Sequence, residues 1–121
     1  MPRLTTPGPE SLLPLTPAML HILLVLAGGA KHGFRIMKAI DEITQGHMKI
    51  GPGTLYGTIK RMLADGLIEE SDERPDPDLD DERRRYYRLT PFGQKVLDAE
   101  VERLAHLVSL ARAQPRLGES S

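Results

Sequence analysis

Gly51-Pro52-Gly53-Thr54-Leu55-Tyr56-Gly57-Thr58-Ile59-Lys60-Arg61-Met62-Leu63-Ala64-Asp65-Gly66-Leu67-Ile68 is the stretch whose reading decides the fold. Proline is welcome at a first helical position, where its missing N–H has no helical partner to lose, and Gly66 stands where a left-handed C-terminal cap belongs. Leu55, Ile59, Met62 and Leu63 share one helical face. Thr54, Gly57, Thr58 and Arg61 lie opposite, with Tyr56 and Lys60 on the flanks. Small and hydroxyl-bearing residues let such a face approach another surface closely, and cations with hydroxyls suit phosphate oxygens. Leu67-Ile68 starts a strand at once. A short helix, a glycine stop and an immediate strand are the order of a winged helix-turn-helix with 52–65 as its recognition helix. An ordinary amphipathic helix in a small α+β domain is the competing reading.

Working outward, the 121 residues make one domain with a modest core, a size at which dimerisation adds useful burial. The chain has no cysteine, so disulfides and thiolate metal ligands are excluded. Its net charge of −1 looks wrong for a partner of nucleic acid until it is divided along the chain. Residues 31–61 hold six Lys/Arg against two acids, and 83–88 hold four Arg and no acid, whereas 62–82 hold ten acids against one Arg. A neutral total can hide a basic face.

Residues 1–15 carry five prolines and glycines without a period, which predicts a mobile arm. Thr16-Pro17 gives a cap and a first-turn proline, and Met19 to Leu26 is apolar nearly all round until Gly28-Gly29. As a secretory leader that run fails: its basic region would be Arg3 alone, and His21 interrupts the apolar core. It is also short of the ~20 residues that span a bilayer. A helix without a polar face needs partners on several sides.

Lys31-His32-Gly33 is expected to be a turn, and Phe34 to Gln45 a second helix with Ile36, Met37, Ile40 and Ile43 buried. His47 to Ile50 alternates and is expected to be a short strand. Leu67 to Asp72 and Arg84 to Thr90 complete a small antiparallel sheet, with Tyr87 and Leu89 facing the core and Arg84, Tyr86 and Arg88 facing outward. Thr90-Pro91 repeats the cap-plus-proline start of a helix that runs to about Ala113, ~35 Å long. Leu97, Val101, Leu104, Val108 and Ala111 form a heptad seam on it, widened by Val96, Leu107 and Leu110. So broad a stripe on so small a domain implies a second copy as its cover; an intramolecular hairpin with residues 17–28 is the alternative.

With these residues in view, the chain resembles the PadR family of bacterial transcriptional regulators. The carriers are His32-Gly33-Phe34 with Ile36, then Ile50 to Tyr56, then Lys60 to Leu63 with Gly66-Leu67-Ile68, and finally Arg83 to Thr90 with Gly93 and Leu97. The resemblance covers about residues 15–110 and matches the short subgroup with a single C-terminal helix. It implies an α+β, mostly helical fold: an arm at 1–15, a winged helix-turn-helix domain at 16–90, a dimerisation helix at 91–114 and a disordered tail at 115–121. It implies a homodimeric repressor on double-stranded DNA, without cofactor, metal or membrane, released in some relatives by a planar aromatic inducer. Expected DNA contacts are Lys31, His32, Lys49, Gly53, Thr54, Tyr56, Thr58, Lys60, Arg61, Arg84 and Arg85. The dimer would rest on Leu97, Val101, Leu104, Val108 and Ala111. Met19, Leu23, Phe92 and Val96 are the candidates to line an inducer site.

Two departures from the family pattern matter. Position 34 is Phe where Tyr is common, which removes a hydroxyl for phosphate. The wing lacks the usual paired glycines and carries Asp76, Asp78, Asp80, Asp81 and Glu82. These aspartates start like a calcium loop, but Asp81 stands where such a loop needs glycine and Tyr87 where it needs glutamate. A solvated acidic loop that restrains DNA binding by competing for Arg83, Arg84 and Arg85 is the better reading. His21, His32, His47 and His106 have no metal-site spacing, and no nucleophile motif or phosphate loop supports an enzyme. The remaining rival is a winged-helix module that binds protein instead of DNA, against which the basic stretches argue.

Overall fold

The computed structural model describes residues 8–72 and 85–115. Four helices surround a three-stranded antiparallel sheet: α1 is Pro17–Leu26, β1 Lys31–His32, α2 Gly33–Ile43, α3 Pro52–Ala64, β2 Ile68–Ser71, β3 Tyr86–Leu89 and α4 Pro91–Ala113. The sheet order is β1-β3-β2.

α1 forms where Thr16 accepts the Met19 N–H at 3.2 Å and Pro17 fills the first turn. Its all-round apolar sequence finds the several partners it needs. Ile22 and Leu23 are fully buried, and α2, α3, α4 and β3 all pack on it. α2 buries Ile36, Ala39 and Ile40, but Ile43 is 57% exposed, because the apolar period runs one turn beyond the part of the helix that is packed. α3 buries Leu55, Ile59 and Met62. Gly66, at φ 76°, ends it as expected, and the Leu67 N–H donates back to the Met62 carbonyl at 3.0 Å.

The sheet differs from expectation in one strand. His47 to Ile50 is not a strand; the Thr44 hydroxyl takes the Met48 N–H at 3.1 Å and bends the chain there. Lys31-His32, expected as a turn, pairs instead with Tyr87 and Tyr86. β3 is therefore central, and Tyr86 is 1% exposed rather than facing outward. His32 meets its ring edge-on at 5.2 Å.

α4 is held to this sheet at its start. Thr90 caps it by accepting the Gly93 N–H at 2.9 Å and donates its own proton to the Gly66 carbonyl at 2.6 Å. Gly93 lies so close to the Leu67 carbonyl that a side chain there would collide with backbone. Val96, Leu97 and Glu100 are buried; beyond them the helix leaves the domain, with Leu104 half-buried and Val101, Leu107, Val108, Leu110 and Ala111 exposed.

Residues 8–15, expected within a mobile arm, are seated on α4. Pro9–Leu12 form a 3-10 turn, Leu12 and Leu13 pack on the core, and Leu15 is buried. The buried Glu100 carboxylate accepts the Leu15 N–H at 2.8 Å and is paired with Arg103. Residues 1–7, 116–121 and the acidic segment 73–82 lie outside the described residues.

Candidate nucleic-acid interface

α2 and α3 meet at their N-terminal ends. The Tyr56 ring, on the second turn of α3, lies over the Cα of Gly33, the first residue of α2; a Cβ on Gly33 would stand 2.8 Å from the ring carbon Cζ. The pair sets the spacing between the two helices while leaving Tyr56 50% exposed. Gly53 and Thr54 are exposed around the same end of α3, whose unpaired N–H groups favour an anion. Thr58 is half-buried, and Lys60 and Arg61 are exposed farther along. The Arg61 side chain is 73% exposed and reaches Asp65 at 4.0 Å, an ion pair of little strength.

Lys49 is exposed in the connection before α3. With Lys38 it flanks an open groove of about 330 Å³ floored by Phe34, Met37 and Ile50, with Asp41 at its side. Phe34 is 58% exposed and stacks at 6.4 Å on His32. Lys38 and Arg35 extend the basic surface; the sequence reading passed over both, although each falls in the basic stretch 31–61. Arg35 is held to Glu42 at 3.3 Å.

Two expected contacts have other work. Lys31 turns its ammonium onto the end of α1, donating to the Val25 carbonyl at 2.9 Å and the Gly29 carbonyl at 3.3 Å. Burial, and then the charge of Arg35, hold its pKa below the ordinary lysine value. His32 is 6% exposed and serves as the N-cap of α2: its Nδ1 accepts the Arg35 N–H at 3.1 Å, which places the ring proton on Nε2. Both residues position α2 instead of offering charge outward.

On the wing, Arg85 is 70% exposed and paired with Glu70 at 3.4 Å, while Arg88 donates to Glu69 at 2.8 Å. Arg84 lies outside the described residues. Tyr87 is buried between these charges. Its phenol is pushed up by burial and then by Glu70, while Arg85 pulls it down and Tyr56 adds a smaller upward push.

The inducer candidates are core. Met19, Leu23 and Val96 are 6%, 0% and 0% exposed, and Phe92 is half-buried against the same cluster. They lie in the core where α1 packs on α4. Among the described residues, no group of three or more His, Asp or Glu is gathered as a metal site, and no helix is long and apolar enough to cross a membrane.

Comparison with known proteins gives this surface its context. The family model for PadR-like transcriptional regulators matches residues 22–99, from within α1 into the first half of α4. A transcriptional regulator of Mycobacterium tuberculosis is 36% identical over 88 residues, covering 73% of this chain and 76% of that protein. A 37.1 kDa transposon protein of Streptomyces fradiae is 38% identical over 104 residues, covering 86% of this chain but 26% of its own. This chain therefore spans about a quarter of the transposon protein. A solved transcriptional regulator of Clostridium thermocellum shares the fold at TM-score 0.67 and 26% identity, over 82% of this chain and 90% of that one. With residues 22–99 matched and the helix-turn-helix among them, the chain belongs to the PadR-like family of transcriptional regulators.

Proposed function

We propose that the protein is a homodimeric repressor that lays α3 of each protomer in the major groove of a near-palindromic operator. The observation that carries this reading is the outward face of α3. Gly53, Thr54, Tyr56, Lys60 and Arg61 are exposed along it, and its N-terminus is fixed beside that of α2. Small residues admit a close approach, the helix end favours phosphate, and Lys60 and Arg61 supply charge. Lys49, Lys38 and Arg85 would meet the flanking backbone. The exposed apolar residues of α4 support a second protomer as their cover. A regulator of this kind works in the cytoplasm, where its DNA is.

A gel shift on the region upstream of its own gene, repeated across salt concentrations, tests the reading. Binding should weaken steeply with salt, and footprints should show dyad symmetry with half-sites ~34 Å apart. Capture of a protein partner with no DNA binding at any salt would replace it with a protein-docking role.

Response to a small aromatic inducer belongs to the same proposal, at the expected place in the dimer centre between α1 and α4 but against other lining residues. With Met19, Leu23 and Val96 filling the core, the inducer would lie between protomers, against the exposed Leu24 and the outer face of α4. Phenolic acids and aromatic antibiotics that change neither melting temperature nor DNA affinity would remove this part.

A further inference from the structure

Among the described residues, the two ion pairs of the wing lie on opposite faces of its sheet. Glu69 stands directly across from Arg88, and Glu70 directly across from Tyr87. Successive residues of a strand point to opposite faces, so Glu69 and Arg88 share one face with Tyr86 while Glu70 shares the other with Tyr87. Arg85, two residues before Tyr87, falls on that second face, which explains its diagonal pair with Glu70 at 3.4 Å. This is also the face turned to α3, since Tyr87 lies in the same core cluster as Leu55, Ile59 and Met62 of that helix. Arg85 thus sits on the side of the recognition helix, with a carboxylate already in contact with it.

We propose that Glu70 is a specificity-determining residue: in the free protein it occupies Arg85, so that a DNA phosphate must displace a carboxylate before the wing can engage. The inference rests on the DNA-binding reading above. Both partners are largely exposed, Arg85 at 70% and Glu70 at 55%, so the pair is weak and open to exchange. A phosphate delivered in register by a correctly seated α3 wins that exchange. A phosphate on random DNA, met at a poorer angle, gains less than it displaces. The glutamate therefore lowers non-specific affinity more than operator affinity, and the difference appears as discrimination. Arg88 and Glu69, on the other face, take no part.

The test compares full-length wild type with Glu70→Gln, Glu69→Gln, Arg85→Ala and the double variant Arg85→Ala/Glu70→Gln, on a random duplex and on the operator fragment across salt. Glutamine keeps the size of the side chain, and unchanged melting curves verify the fold. Glu70→Gln should tighten random-duplex binding about threefold or more at low salt, with a steeper salt dependence and a smaller gain on operator. Glu69→Gln should change neither, and Glu70→Gln should give no gain when Arg85 is absent. An equal gain with and without Arg85 would show that Glu70 merely repels phosphate, and an equal gain from Glu69→Gln would show that only net charge matters; either overturns the proposal. Wild-type binding that Glu70→Gln leaves unaltered overturns it while the DNA reading stands. Failure of every protein to bind either duplex overturns the DNA reading and this inference with it.

Discussion

At the scale of single residues, two glycines separate stability from binding. Gly93 faces the Leu67 carbonyl, a backbone atom that cannot swing aside, so Gly93→Ala should force the start of α4 off the sheet and cost about 3 kcal/mol, read by urea denaturation. Gly33 faces the end of the Tyr56 side chain, which can rotate away. Gly33→Ala should therefore leave stability nearly intact and weaken DNA binding, because it dislodges the ring that spaces α2 from α3. A large loss of stability in Gly33→Ala would mean that the ring holds the domain together rather than the interface. Glu100 makes a third case. The hydrogen bond from Arg103, and then that from Leu15, hold its pKa below the ordinary carboxylate value even though burial opposes them. Stability from this group is full above its unfolded value near 4.5 and is lost as pH falls through the lower folded value. Glu100→Gln should therefore remove part of the acid sensitivity of unfolding, and Glu100→Ala should cost ~1–3 kcal/mol at neutral pH. Neither the burial nor the partners of Glu100 were legible in the sequence: Leu15 lies 85 positions away, and a glutamate between apolar residues reads as solvent-facing.

Elements were legible where their signals are local. Thr16-Pro17, Thr90-Pro91 and Gly66 announced helix ends through caps that depend on a few neighbouring residues. β1 was missed because two residues cannot show an alternation, and it exists only through its pairing with a distant strand. His47 to Ile50 showed an alternation that meant nothing once Thr44 had taken the Met48 N–H. α4 carries the prediction proper to this scale. Val101, Leu107, Val108 and Leu110 are each about half exposed, and Leu104 lies among them. Leu104→Glu should place an unpaired charge at the proposed protomer contact and shift sedimentation from dimer to monomer. Micromolar wild type that sediments as a monomer would sink the dimer. On α3, Lys60→Ala should weaken operator and random DNA alike and lower the salt slope by about one. A loss confined to operator would instead make Lys60 a reader of bases.

At the scale of the molecule, charge is sorted by location more than by amount. A net charge of −1 coexists with a basic α2–α3 surface, because acids are concentrated between residues 62 and 82. Much of the sorting was visible as runs in the sequence. What was not visible is how many of the cations are already committed: Lys31 to carbonyls at and just after the end of α1, Arg85 and Arg88 to glutamates of the neighbouring strand β2. Only the pairing of strands decides which acid meets which arginine. The contact of Leu15 with Glu100 has a consequence of another kind, for the moment of synthesis. α1 is made early, is apolar on every side, and receives one of its covers from α4. At ~5–20 residues per second, the 85 residues from Leu15 to Glu100 take roughly 4–17 s to appear. For that interval the nascent chain carries an incompletely sheltered greasy helix at the ribosome, and the arrival of α4 both closes the domain and pins its beginning to its end.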